Sequence, residues 1–183
     1  MRIITGKFKG RALETIRDTS VRPATDRVKG TIFNVLQNRL GLHGAAVLDL
    51  FAGIGSLGFE ALSRGAGLAV FVDGSKKVLD VIEQNAERLG CLDACVIVQT
   101  DALSFVNRTN DSFDLIFADP PYVYKETALL PQVIFERRLL KKGGFLIMEH
   151  PKKTVFPAQP QYSLAAQKEF GNTRVTFFTH PTA

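Results

Sequence analysis

The sequence predicts an α/β fold: a mostly parallel, seven-stranded sheet with an antiparallel hairpin at its C-terminal edge, preceded by a small N-terminal hairpin and helix. Three observations carry this. From residue 46 onward, short and nearly unbroken apolar runs alternate with stretches of helical periodicity, the pattern of strands buried on both faces of a parallel sheet. The last two apolar runs, 164–170 and 174–179, are separated by little more than Gly171-Asn172, which leaves no room for a crossover and makes them an antiparallel pair. The first forty residues follow neither pattern and read as an appendage.

Taken in order, residues 2–16 hold short extended pieces bracketed by Gly6 and Gly10, which reads as a hairpin. Residues 21–24 are extended, because a residue before proline avoids the helical region. Thr25 then caps a helix, with Asp26 favourable in its first turn. Val28, Ile32, Val35, Leu36 and Leu40 recur at helical spacing and give that helix one apolar face. Arg22, Arg27 and Lys29 cluster at its start, where cations oppose the helix dipole, so another use is expected of them. Strands follow at 46–50, 68–73, 95–99, 114–118 and 145–149, with helices at 59–64, 76–89 and 126–140. Gly65, Gly90 and the Lys142-Gly143-Gly144 stretch stop the three helices.

A chain of 183 residues with 45% hydrophobic and 22% charged content suits one soluble domain with a substantial core. No apolar run is long enough to span a bilayer, and Met1-Arg2-Ile3-Ile4 is too short and too soon basic for a secretory signal. These features predict a cytoplasmic protein. The two cysteines, Cys91 and Cys95, and three scattered histidines do not make a metal site. The net charge of +5 is unevenly placed: residues 1–40 carry nine Lys/Arg against three acids, while the remainder carries 14 basic and 15 acidic groups. A basic arm (1–40) on a nearly neutral body (41–183) points to a polyanionic partner.

In an open parallel sheet, ligands bind beyond the carboxyl ends of the strands. Residues at those ends therefore belong together. After the first strand comes Asp49-Leu50-Phe51-Ala52-Gly53-Ile54-Gly55, continuing to Gly58 with G-x-G-x-x-G spacing. Its glycines permit close backbone approach to a ligand, and the next helix offers free N–H groups to an anionic group. The second strand ends on Asp73, whose carboxylate can accept from ribose hydroxyls. The third is followed by Asp101-Ala102, placed for an adenine edge. Asp49 would repel a diphosphate but suits a cation. S-adenosylmethionine has a sulfonium, an ammonium, a carboxylate, a ribose and an adenine, and each finds a candidate partner on this rim.

The fourth strand runs into Asp119-Pro120-Pro121-Tyr122. Proline fixes φ and supplies no N–H, so this loop is stiff and its carbonyls can accept. Asp119 and the Pro120 carbonyl form two acceptors at rigid spacing, matching an exocyclic amine with two hydrogens to donate. Tyr122 can stack on a planar base withdrawn from its helix.

Three stretches, R-P-A-T-D-R-V-K-G-T-I-F-N-V-L (22–36), D-L-F-A-G-I-G-S-L-G-F-E-A-L-S-R-G-A (49–66) and D-P-P-Y, resemble the bacterial RsmD family, a branch of the Rossmann-like class I methyltransferases. The resemblance implies an S-adenosylmethionine-dependent enzyme that methylates the N2 amine of a guanine in 16S ribosomal RNA of the small ribosomal subunit. It implies Asp49, Phe51, Ala52, Gly53, Gly55, Asp73, Gly74, Asp101 and Ala102 around the cofactor. Asp119, Pro120, Pro121 and Tyr122 would hold the target base. The expected RNA contacts are Lys7, Lys9, Arg11, Arg22, Thr25 and Arg27, in a protein acting as a monomer without metal or membrane. This chain departs from the family pattern in having Lys29-Gly30 where Arg-Glu is usual, and Asp73 where Glu is common. Related tetrapeptides also serve adenine-N6 methylation of DNA or RNA and protein-amide methylation. A nicotinamide-dependent oxidoreductase and a non-catalytic RNA-binding module are the readings from other classes.

Overall fold

The computed structural model describes residues 1–16 and 25–181. Seven strands form one sheet in the order β3-β2-β1-β4-β5-β7-β6. These are β1 (Ala46–Leu50), β2 (Leu68–Asp73), β3 (Cys95–Gln99), β4 (Phe113–Ala118), β5 (Leu140–Pro151), β6 (Ser163–Phe170) and β7 (Thr173–Thr179). The first five run parallel, and β7 and β6 complete the sheet antiparallel. Among the described residues five α-helices accompany them: α1 (Asp26–Leu36), α2 (Ser56–Ser63), α3 (Lys76–Leu89), α4 (Ala102–Arg108) and α5 (Leu130–Glu136), with a 3-10 turn at Leu92–Ala94.

Alternation along the strands divides the core into two layers. Val47, Phe71, Leu115, Phe117, Ile147 and Phe177 face α1, α2 and α3. Leu48, Leu50, Val70, Ile116, Leu146 and Phe178 face α4 and α5. The N-terminal hairpin and α1 belong to the first layer, into which Ile3, Phe8, Leu13, Ile32, Phe33 and Leu36 are buried. Among the described residues no helix is long and apolar enough to cross a membrane.

Several elements depart from the sequence-based expectation. α4 was not anticipated; Asp101 caps it by accepting from the Ser104 N–H at 2.9 Å. The helix expected over 126–140 is confined to Leu130–Glu136, because Pro131 starts a helix at its first turn and does not sit inside one. β5 begins at Leu140 and takes in Lys142-Gly143-Gly144, the stretch expected to end that helix. Gly144 is required there, since a Cβ would lie 2.6 Å from the Asp114 carbonyl oxygen on β4. α2 begins at Ser56, three residues before the expected start, directly after left-handed Gly55. The hairpin at 2–16 has one ladder pair, Arg2 with Ala12. The extended segment 21–24 lies outside the described residues.

Lys29 is not a surface cation. It is fully buried with Glu60, and its Nζ donates to the Arg2 carbonyl at 2.6 Å and lies 3.7 Å from Glu60 Oε2. Burial pulls its pKa below the ordinary lysine value, against the pull of Glu60 and Asp26. Glu60 also accepts from the backbone N–H groups of Ile4 (2.8 Å) and Thr5 (3.1 Å) and from Arg64 Nε (2.9 Å). One buried carboxylate thus ties the hairpin, α1 and α2 together, with its charge compensated as burial demands. Gly30 has only Ile4 Cδ1 within reach of a Cβ, at 4.0 Å, and nothing in the structure explains a glycine there.

Candidate active site

The carboxyl ends of the strands open into a cleft of about 1340 Å³. This exceeds the roughly 300–1,000 Å³ typical of a single small-molecule pocket and leaves space for a cofactor and a second planar group. Every candidate cofactor residue other than Gly55 lines it, as do Asp119, Pro120, Pro121 and Tyr122. Thr25 and Arg27 stand on its lip.

Strand alternation explains why these side chains converge. Asp49 follows Val47, Asp73 follows Phe71, and Asp119 follows Leu115 and Phe117, all residues of the layer that faces α1, α2 and α3. The carboxylates therefore leave the same face of the sheet as the apolar residues two positions earlier. Asp49 sits deepest, being 3% exposed. Its Oδ2 accepts from the Gly58 N–H at 2.9 Å. Burial lifts its carboxyl to about 8, against the Gly58 hydrogen bond and with the help of nearby Asp73. A carboxyl so poorly solvated favours a cation as its neighbour.

The loop between β1 and α2 is shaped for close approach. Gly53 and Gly55 have φ of 55° and 77°, and Phe51, at φ 57°, is one of two non-glycine residues with positive φ among those described. Its strained backbone turns the ring out of the strand register, edge-on to Tyr124 at 4.8 Å. Gly58 lets α2 lie against β2: a Cβ would come within 2.3 Å of the Phe71 ring and 3.2 Å of Asp49. Asp73 fastens this loop by accepting from the Gly53 N–H (3.2 Å) and the Ser75 N–H (2.9 Å). Asp101 accepts from the Tyr124 hydroxyl at 3.3 Å as well as capping α4. Burial, and then Asp101, push the Tyr124 phenol up to about 12, so it stays protonated as the donor. Ala102, the first residue of α4, is buried beside them.

In the Asp-Pro-Pro-Tyr loop, the Tyr124 N–H closes a turn onto the Pro121 carbonyl at 2.8 Å. Tyr122 and Val123 are 63% and 84% exposed. Both stand free of the packed core, and Tyr122 lines the cleft. The hairpin cations occupy a different place. The Lys7 N–H donates to the Ser63 carbonyl, and the Arg11 guanidinium reaches the Arg88 carbonyl, so Lys7, Lys9 and Arg11 lie beside the C-terminal ends of α2 and α3. Since α2 starts at the cleft and rises about 1.5 Å per residue, these side chains are separated from Thr25 and Arg27 by its length. Arg27 stacks over Phe170 at 5.9 Å. Arg22 lies outside the described residues.

Sequence reasoning missed Tyr124, Glu149, Phe170, Asn172 and Thr173, all of which line the cleft. For Glu149 a signal existed: Phe145-x-Ile147-x-Glu149 repeats the alternation of Leu115-x-Phe117-x-Asp119. Among the described residues no group of three or more His, Cys, Asp or Glu is placed to hold a metal.

The family model described as "Conserved hypothetical protein 95" matches residues 1–179. A Bacillus subtilis (strain 168) protein, named provisionally as an rRNA methyltransferase, is 36% identical over 97% of this chain and 98% of its own length. The Haemophilus influenzae "Ribosomal RNA small subunit methyltransferase D" is 32% identical over 93% of this chain and 89% of its own. A solved structure from Escherichia coli, titled provisionally as a methyltransferase, superposes with a TM-score of 0.87 at 29% identity, covering 98% of this chain and 97% of that one. With the model spanning almost the whole chain and relatives of this similarity along nearly all of it, the chain belongs to the conserved hypothetical protein 95 family, the RsmD family.

Proposed function

We propose that the chain transfers a methyl group from S-adenosylmethionine to the exocyclic N2 amine of a guanine in 16S ribosomal RNA. The carrying observation is that the Asp-Pro-Pro-Tyr loop opens into the same cleft, and from the same sheet face, as Asp49 and Asp73. The names borne by the relatives support the coarser part of this reading, methylation of ribosomal RNA.

The residues of the cofactor half fit such a donor. Asp49, which burial keeps protonated, becomes a buried counter-charge when a cation beside it draws off the proton, a gain no diphosphate could offer. Gly53 and Gly55 leave the loop open to close approach, while Asp73, beside Gly74, offers a carboxylate to ribose hydroxyls. Phe51, Ala52, Asp101 and Ala102 complete the wall on the adenine side. When bound, S-adenosylmethionine supplies an electrophilic methyl on a positively charged sulfur.

Asp119 and the Pro120 carbonyl each accept one hydrogen of the amine, drawing its nitrogen toward tetrahedral geometry and localising the lone pair. An amine held in this way would be set to take the methyl that bound S-adenosylmethionine would supply, the carbon–sulfur bonding pair staying on sulfur and the surplus proton of the amine passing to solvent. The loop contributes position and fixed electrostatics, since its prolines need no reorganisation. Tyr122 stacks on the base and offsets part of the cost of withdrawing it. Thr25 and Arg27 contact RNA at the lip of the cleft, and Arg22 adds a further cation for the same partner. Lys7, Lys9 and Arg11 contact it at the far end of α2, which suits a folded RNA broader than the cleft. The protein works as a cytoplasmic monomer.

The test is to map methylated nucleotides in small-subunit ribosomal RNA from cells with and without this protein. One N2-methylguanine should disappear and return on adding the purified protein and S-adenosylmethionine. Loss of a methyladenine, or of no ribosomal mark, would overturn the proposal.

A further inference from the structure

We propose that Glu149 identifies the target base by accepting the ring N1–H of guanine while Asp119 and the Pro120 carbonyl take the neighbouring N2 amine. This rests on the guanine-N2 reading above and adds the residue that separates guanine from bases with the same amine.

The placement follows from strand register. Ala118 on β4 is paired with Met148 on β5, so the next residues, Asp119 and Glu149, stand side by side. Parallel neighbours are about 4.8 Å apart. Glu149 follows Phe145 and Ile147 as Asp119 follows Leu115 and Phe117, and all four apolar residues belong to the layer facing α1, α2 and α3. Both carboxylates leave the same face of the sheet, and both line the cleft. On the far side of Glu149, the Thr173 hydroxyl on β7 reaches its Oε1 at 3.1 Å and lies 3.0 Å from the Phe170 carbonyl. Glu149 is therefore held on a strand by a neighbouring strand, a rigid mounting for recognition.

Guanine presents N1–H and N2–H2 side by side, a row of donors matched by a row of acceptors. A carboxylate has about four lone-pair positions, so it can accept from Thr173 and from the base together. In 2-aminopurine the N2 amine is kept but N1 becomes an acceptor, and in adenine N1 is likewise an acceptor. Either base would set a lone pair against Glu149, and a buried mismatch of that kind is penalised more than a missing contact.

The experiment compares wild type with Glu149→Gln on small subunits reconstituted from ligated RNA carrying either guanine or 2-aminopurine at the mapped position. The readout is kcat/KM for each base, with S-adenosylmethionine affinity measured alongside. Glutamine can turn its amide nitrogen toward an acceptor. The preference for guanine should therefore fall about tenfold or more in the variant, with cofactor affinity unchanged. N2-methylguanine formed by both proteins with the same base preference would overturn the role of Glu149 alone. If wild type forms no N2-methylguanine at all, the guanine reading and this proposal fall together.

Discussion

The two halves of the cleft are built differently. On the β1–β2–β3 side every acidic group is engaged with backbone: Asp49 with Gly58, Asp73 with Gly53 and Ser75, and Asp101 with Ser104. On the β4–β5 side the prominent features are an exposed tyrosine, an exposed valine and two prolines that donate nothing. The first half is held in place by its own backbone. The second presents a stiff and partly exposed surface. Preorganisation and exposure are thus divided by strand.

The largest expected effect of that division is at Asp119. Asp119→Ala should lower methyl transfer by about a thousandfold, the scale for removing a group that stabilises the reacting centre, while calorimetry shows S-adenosylmethionine affinity within about twofold of wild type. Near-normal turnover would break the division of labour.

Asp49→Asn tests the other half. Burial raises this carboxyl from 3.8 to about 8, so between those pH values the folded protein keeps a proton that the unfolded chain has released. Stability must then fall as pH rises through this window and level off above it. The variant should lose that slope in denaturant titrations of the ligand-free protein. It should bind S-adenosylmethionine about tenfold or more weakly, the loss of a buried counter-charge, and without the rise in affinity toward pH 8 expected of wild type. A slope identical to wild type would remove Asp49 as its source.

Tyr122→Ala should weaken RNA binding by about 1–3 kcal/mol, the range for one base–aromatic stack, and leave stability within about 0.5 kcal/mol, as expected for an exposed side chain. An unchanged RNA affinity would show that the ring is not a stacking platform. The smallest effect sharpens the contrast outside the cleft. Reversing charge at Lys7, Lys9 and Arg11 should reduce the salt dependence of RNA binding by about one to three ion equivalents, with kcat on saturating RNA preserved. The same change at Arg27 should alter kcat as well. If the three hairpin changes leave the salt slope intact, RNA does not reach that end of α2.

The strands were legible because each is a short apolar run ending at a polar residue, and β1, β2 and β3 match their sequence-based bounds. The acidic rim of the cleft was legible because its groups follow the strands directly. What sequence hid was competition between roles. Asp101 both lines the cleft and caps α4, a helix of 7 residues that is too short for periodicity to mark. Pro131 looked like an interruption because helix periodicity on either side of it was given more weight than its preference for a first turn. Lys29 reads as one more cation of the arm because only the fold brings Glu60 to it, and Glu149 is hidden because β5 runs on past it to Pro151, so no strand end marks it.

Helix α2 has no exposed residue, and it touches the cleft through Gly58 and the N-terminal hairpin through Glu60 and Ser63. Removing residues 1–16 would strip Glu60 of the Ile4 and Thr5 N–H groups and Lys29 of the Arg2 carbonyl, leaving their ion pair without the neutral partners that satisfy it. The first residues of the chain are therefore a poor place for a tag that must be trimmed closely, for a domain boundary in a fusion, or for shortening during crystallisation. Damage done there would be transmitted along one rigid helix to the glycine loop.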